Sequence, residues 1–86
     1  MHAVVDTNVW VSAFLSPHGT PAKLFGAMFA GRLVPLTSAA IETEYREVLS
    51  RPKFRIDSQA VDEFFHVLAA LGRFVHDVPA LQLKHP

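Results

Sequence analysis

The apolar positions of the chain alternate between two spacings. Short runs of consecutive apolar residues, with the β-branched pair Val4 and Val5 in the first run, predict strands that are covered on both faces. Longer stretches, in which apolar residues recur every three or four positions, predict helices. The predicted strands are residues 2–6, 32–36 and 74–78, and the predicted helices are residues 8–15, 20–31, 38–49 and 58–71. This β-α-α-β-α-α-β order predicts an α/β fold with a parallel sheet flanked by helices.

Individual residues refine this outline. Thr37 or Ser38 is expected to cap the third helix, because a short polar oxygen there can accept a free N–H of the first turn. Pro35 lacks the N–H that a sheet ladder uses, so we expect its strand to lie at an edge, carry a bulge or end early. Phe74 belongs to an apolar segment and is expected in the core.

Composition narrows the class of protein. The 86 residues suffice for one domain, and half of them are apolar. Eight basic residues balance eight acidic ones, so global charge favours neither nucleic acid nor an acidic membrane surface. The absence of cysteine excludes disulfides and thiolate-metal sites. No signal peptide is recognisable and no apolar run approaches the roughly 20 residues of a membrane span, so a cytoplasmic location is expected.

Asp6 is the first residue with candidate chemistry. It is expected at the carboxyl tip of the first strand, which is the edge where open α/β sheets bind ligands. A carboxylate there, followed by a helix N-terminus, suits a metal or a phosphate site. The alternative is an ordinary strand-to-helix turn, in which Asp6, Thr7 and Asn8 serve only as capping residues.

A second group of carboxylates lies on the third predicted helix. Glu44 and Glu42 border its apolar stripe on opposite sides, whereas Glu47 points away, and periodicity does not choose between the two border residues. Each of them alone is equally compatible with a solvated helix face. If one joins Asp6, the two carboxylates repel each other unless a divalent cation such as Mg²⁺ or Mn²⁺ neutralises them.

A short basic cluster follows the same helix. Arg51, Lys53 and Arg55 lie beside Phe54 in a predicted connector. Such a cluster either contacts the phosphates of a nucleic acid or is a solvated loop, and the sequence leaves both interpretations open.

Two segments resemble the PIN-domain family, and within it the toxin components of bacterial toxin–antitoxin systems. They are residues 4–9, continued by residues 12–17, and the later residues 44–54. The resemblance implies a Rossmann-like α/β/α fold and a metal-dependent endoribonuclease. It assigns Asp6 and Glu44 as catalytic carboxylates that bind Mg²⁺ or Mn²⁺, with Thr7 and Asn8 as supporting residues. It also implies an RNA substrate, to which Arg51, Lys53 and Arg55 are assigned, and a cognate antitoxin.

The chain departs from the family at its C-terminal end. PIN domains carry further acidic residues in a C-terminal region, and the chain ends at Pro86 before that region. We therefore expect residues 1–86 to form a single PIN-like domain whose C-terminal part is missing. The alternative function is a catalytically incomplete remnant that acts only in protein binding. A short sheet with an open side leaves surface to be covered, so a homodimer or a bound antitoxin is expected.

A phosphatase of the haloacid dehalogenase type is a further alternative for an Asp at the first strand tip. That chemistry requires a second Asp two positions later as general acid. Asn8 occupies this position, so the sequence disfavours the phosphatase.

Overall fold

The computed structural model describes residues 1–16 and 21–76, and these residues form an α/β fold. The strands are β1 His2–Ala3, β2 Val34–Thr37 and β3 Arg73–Phe74, and the helices are α1 Thr7–Phe14, α2 Ala22–Phe29, α3 Ala39–Leu49 and α4 Ser58–Leu71, with a short 3-10 helix at Pro52–Phe54. The predicted fold class, a parallel sheet flanked by helices, is confirmed. None of the described helices is both long and apolar enough to cross a membrane.

The parallel arrangement of the sheet allows functional side chains to lie close together at one of its edges. Its described strands run parallel in the order β1-β2-β3, with Ala3 opposite Pro35 and Leu36 opposite Arg73. The carboxyl ends of all three strands therefore meet at the same edge. Asp6 follows β1 and Ser38 follows β2 at this edge.

The first strand is shorter than predicted, and Val4 is not covered on both faces. Pairing with β2 ends at Ala3, and the side chain of Val4 is 55 % exposed. Because β1 lies at an edge of the described sheet, only one of its sides has a neighbouring strand. The third strand occupies Arg73–Phe74, and residues 77 and 78 of the prediction lie outside the described residues.

Pro35 lies in the central strand of the described sheet and is fully buried, so the expected edge position is wrong. Successive N–H groups of a strand point to opposite neighbours. The Val34 N–H donates to the Met1 carbonyl on the β1 side at 2.7 Å, and the Pro35 nitrogen consequently faces the β3 side. Pairing with β3 begins one residue later, where Leu36 lies opposite Arg73. The missing donor therefore removes no ladder bond.

The core is built around the ring of Phe64 in α4. Its centroid lies 4.7 Å from that of Trp10 and 5.9 Å from that of Phe14, both in edge-to-face geometry, a favoured arrangement of aromatic pairs. Phe64 and Trp10 are fully buried. Phe74, in contrast, is 47 % exposed and packs against His76, so its expected place in the core is wrong. The other buried apolar residues are Val11, Met28, Leu33, Tyr45, Leu49, Val61 and Leu68.

Gly72 allows α4 to pass directly into β3. A Cβ atom at this position would lie 2.7 Å from the Leu68 carbonyl oxygen and 3.0 Å from the Pro35 carbonyl oxygen. The first distance is shorter than real Cβ contacts, and both neighbours are backbone atoms that cannot move aside cheaply. A side chain at this position would therefore push the end of α4 away from β2, and with it the start of β3.

Candidate functional site

Asp6 lies in the turn between β1 and α1 and caps that helix. Its backbone is extended, with φ −62° and ψ 140°, and its Oδ1 accepts the Asn8 N–H at 2.8 Å. The capping oxygen satisfies one of the free N–H groups of the first helical turn. The side chain of Asp6 is exposed, so the carboxylate is fixed in direction and remains open to solvent.

Glu44 of α3 reaches the residue next to Asp6. The hydroxyl of Thr7 donates to Glu44 Oε2 at 2.8 Å, across 37 positions of the sequence. Thr7 is buried, which fixes its hydroxyl, whereas Glu44 is exposed. The carboxylates that the sequence singled out are thus each hydrogen-bonded to the same short segment, residues 7 and 8.

Glu42 reaches the same sheet edge by a different contact. The hydroxyl of Thr37, the buried last residue of β2, donates to Glu42 Oε2 at 3.3 Å. Glu42 therefore leans toward the tip of β2 and Glu44 toward the tip of β1. Periodicity could not choose between the two residues because both borders of the α3 stripe face the sheet edge.

Tyr45 is a site residue to which the sequence analysis gave no functional role; it lies on the apolar stripe of α3 that Glu42 and Glu44 border. Its ring is buried, and its hydroxyl donates a hydrogen bond to the carbonyl of Val5, 40 positions earlier. A tyrosine on a buried stripe carries a polar tip that needs a partner, and this was the available signal. The pattern gave no indication that the partner would be the residue immediately before Asp6.

The pKa of Tyr45 reports the charges around this point. Burial raises the pKa of the phenol above its usual value, and the carboxylates of Glu44, Asp6 and Glu42 raise it further. The indole N–H of Trp10 opposes the rise, although its geometry falls short of a hydrogen bond and leaves Trp10 Nε1 without a partner among the described residues. The negative charges of all three carboxylates therefore disfavour ionisation of the buried Tyr45 hydroxyl, and the electrostatic potential at this edge of the sheet is negative.

Asn8 contributes its backbone to the site. The Asn8 N–H holds Asp6, while within residues 1–16 and 21–76 its exposed amide side chain forms no hydrogen bond with Asp6 or Glu44. The hydroxyl of Thr7 and the backbone of Asn8 thus make the observed contacts to the two carboxylates.

The residues present fit a small divalent cation in the chemistry of their donors. Asp6 and Glu44 each engage one oxygen in a hydrogen bond, and no described residue donates to the second oxygen of either carboxylate. Magnesium binds hard oxygen ligands, usually one or two carboxylates together with water. Among the described residues, no group of three or more Asp, Glu or His side chains is arranged to hold a metal ion. A cation at this edge would therefore rely on two carboxylates and solvent.

The basic cluster follows the C-terminal end of α3. Arg51, Lys53 and Arg55 are exposed. Lys53 lies within the 3-10 helix Pro52–Phe54, and Arg51 and Arg55 flank it. Arg51 Nη2 is 4.0 Å from Glu47 Oε2, a loose surface contact. The cluster therefore keeps its charges in solvent.

Comparison with known proteins adds a family to this geometry. The profile of the PIN domain matches residues 2–84. An uncharacterized protein of Methanocaldococcus jannaschii is 38 % identical over 52 residues, which cover 60 % of this chain and 34 % of that protein. The chain thus aligns with about a third of the length of this curated relative. No solved structure matches the chain.

The hydrogen bond between Thr7 and Glu44 is testable on its own. In Thr7→Val, which keeps the shape of the side chain and removes the donor, the free energy of unfolding is expected to fall by about 1 kcal/mol. The loss stays small because Glu44 is exposed and water replaces the hydroxyl. Urea denaturation measures it, with Thr7→Ser as the matched variant that retains the donor. A free energy of unfolding in Thr7→Val equal to that of the wild type would show that the hydroxyl contributes nothing.

Proposed function

Because the chain belongs to the PIN-domain family, we propose that it is a metal-dependent endoribonuclease and the toxin of a toxin–antitoxin pair. PIN domains are generally nucleases, so the family indicates nuclease activity. The observation that carries the proposal is the hydrogen bond from Thr7 to Glu44, because it brings a carboxylate of α3 beside the turn that presents Asp6.

In the proposed reaction, each site residue has a separate task. Asp6 and Glu44 would hold Mg²⁺ or Mn²⁺ through the oxygens that their hydrogen bonds leave free. When bound, the ion would activate a water molecule for attack on a phosphodiester and offset the negative charge that develops there. Thr7 orients Glu44, and the N–H of Asn8 orients Asp6. Both carboxylates are exposed, so an RNA backbone can approach them.

A second candidate is a PIN domain that has lost catalysis and acts only by binding another protein. One observation favours it: the described residues hold no metal-binding group of three or more side chains. This candidate predicts that Mn²⁺ does not bind, whereas the nuclease proposal predicts that it does. Calorimetric titration of the wild-type protein with Mn²⁺ separates the two.

The proposed partners are RNA, an antitoxin and a second copy of the chain. Arg51, Lys53 and Arg55 are proposed to contact the phosphates of RNA, which their exposed charges permit. Exposed apolar side chains support a protein partner, because such surface is stabilised when it is covered. Within the part of the chain that the structure describes, the large apolar residues that are exposed are Met1, Val4, Val9, Leu15, Phe29 and Phe74.

Removal of either proposed metal ligand is expected to abolish cleavage. Asp6→Asn and Glu44→Gln keep the size of each side chain and remove its charge, so Mn²⁺-dependent cleavage of single-stranded RNA should fall at least about 100-fold in each variant. Purified proteins are compared on a labelled RNA, with and without a chelator. Glu63→Gln, which removes an exposed charge from α4, is the matched control and should cleave at the wild-type rate.

Growth of an expressing bacterial host provides a second measurement of the same proposal. Wild-type protein should arrest growth, Asp6→Asn should not, and co-expression of the antitoxin should restore growth to the wild-type strain. Residual RNA cleavage that is equal in wild type and Asp6→Asn would be a contaminant's activity and would refute the nuclease assignment.

The basic cluster is expected to determine how RNA binding depends on salt. In the combined variant Arg51→Gln, Lys53→Gln, Arg55→Gln, the slope of the logarithm of affinity against the logarithm of salt concentration should become shallower by about 0.7 for each lost phosphate contact. Fluorescence anisotropy on an Asp6→Asn background measures binding without cleavage. Lys23→Gln, which removes an exposed charge from α2, should leave the slope unchanged. An unchanged slope in the combined variant would identify the cluster as a solvated loop.

Self-association is expected from the exposed apolar residues. Light scattering on the purified chain at micromolar concentration should give the mass of a dimer. A single monomeric species over the whole concentration range would contradict the proposed homodimer and leave the antitoxin as the proposed protein partner.

A further inference from the structure

We propose that Tyr45 is a positioning residue for Asp6: its hydroxyl holds the peptide group that precedes Asp6 and thereby sets the direction of the carboxylate. The inference rests on the proposed function, in which Asp6 binds a metal ion. It adds to that function a residue with no metal-binding role of its own, because the Tyr45 ring is buried and its hydroxyl is engaged by the carbonyl of Val5.

The geometry brackets Asp6 from both sides. Adjacent residues of α3 contact the two neighbours of Asp6, because Tyr45 donates to the carbonyl of Val5 and Glu44 accepts from the hydroxyl of Thr7. Consecutive helical side chains diverge by about 100° around the helix axis. Tyr45 and Glu44 can therefore contact Val5 and Thr7, which lie on either side of Asp6. Asp6 thus lies between two residues that are each hydrogen-bonded to α3.

The hydrogen bond from Tyr45 to Val5 affects Asp6 because the Val5 carbonyl and the Asp6 nitrogen belong to the same peptide plane. The carbonyl of Val5 and the N–H of Asp6 belong to one planar unit, so fixing the carbonyl fixes the frame from which the φ angle of Asp6 is measured. Sheet pairing ends at Ala3, and no backbone N–H of the described residues donates to the Val5 carbonyl. The phenol of Tyr45 is therefore the group that anchors this plane.

The phenol itself is held firmly. Its side chain is 2 % exposed, and its ring packs against Trp10 and Phe64 with centroids 6.2 and 6.1 Å away. Packing on two sides restricts rotation of the ring and keeps the hydroxyl directed at the Val5 carbonyl. One hydrogen bond thus connects the backbone next to Asp6 with the aromatic core, and the rigid core thereby fixes the position of Asp6.

The substitution Tyr45→Phe removes the hydroxyl and keeps the ring. The first readout needs no metal: the Asn8 N–H donates to Asp6 Oδ1, so its rate of exchange with solvent depends on whether that carboxylate stays directed at it. Exchange measured by NMR should be about tenfold faster in Tyr45→Phe than in the wild type. Thr43→Val removes a hydroxyl whose hydrogen bond within residues 1–16 and 21–76 goes to the carbonyl of Ala39, and it should leave the rate unchanged.

The second readout is the affinity for Mn²⁺ alone, measured by calorimetry. Loss of a group that orients a metal ligand typically weakens metal binding 10- to 100-fold, so about a tenfold loss is expected for Tyr45→Phe. Met28→Ala lowers stability from a buried position on α2 and leaves Tyr45 with its neighbours Trp10 and Phe64, so it should keep wild-type affinity under conditions in which it is folded. The same loss in Met28→Ala would assign the effect to stability and overturn the proposal.

The exchange rate and the Mn²⁺ affinity test the positioning role of Tyr45 and the proposed metal site separately. If the wild type does not bind Mn²⁺, the metal assignment of the proposed function fails, and the exchange of the Asn8 N–H still decides the role of Tyr45. An unchanged Asn8 exchange rate in Tyr45→Phe overturns the positioning role whatever the metal does. Should Tyr45→Phe not fold, 4-fluorophenylalanine at position 45 provides a substituent of similar size without a donor, and the same exchange measurement applies.

Discussion

The contact of α3 with the turn between β1 and α1 is the interaction on which the site depends. Two hydrogen bonds make it, one from Thr7 to Glu44 and one from Tyr45 to the carbonyl of Val5. The parallel sheet alone brings strand ends to a common edge, but it does not orient the side chains there. The α3 contact supplies that orientation, because it joins a helix that follows β2 to the polar turn that follows β1.

The aromatic core and the polar edge form one continuous arrangement. Tyr45 belongs to both, since its ring packs against Trp10 and Phe64 while its hydroxyl donates to the carbonyl of Val5. Substitutions that loosen the packing around Phe64 would therefore reach the carboxylates without touching them. Arg46 adds a surface link between α3 and α4, because its guanidinium lies 4.2 Å from the Phe65 ring centre and 3.6 Å from Asp62 Oδ1.

Sequence patterns were informative wherever one local property determined the outcome. The helical spacing of apolar residues located α3 and α4, and the short polar residue Ser38 proved to be the cap of α3. The place of Pro35 was mispredicted because its effect depends on where the neighbouring strand begins, which is a long-range fact. The exposure of Val4 was missed because a run of consecutive apolar residues does not reveal which faces of a strand become covered.

In the candidate site, too, features that depend on local sequence were predicted and features that depend on long-range contacts were not. Asp6 stood out because a charged residue ends an apolar run, and that signal is local. The choice between Glu42 and Glu44 required the tips of two different strands, and the role of Tyr45 required a backbone carbonyl 40 positions away. The family resemblance pointed to Glu44 without either fact.

The span of these hydrogen bonds also determines when the site can exist during folding. Contacts across 37 and 40 positions close large loops, and loop closure of this kind is slow compared with the formation of a local helix. A chain in which α3 has not yet docked presents Asp6 to solvent without Glu44 beside it. Assembly of the acidic edge is therefore a late event that coincides with docking of α3, and partly folded chains lack it.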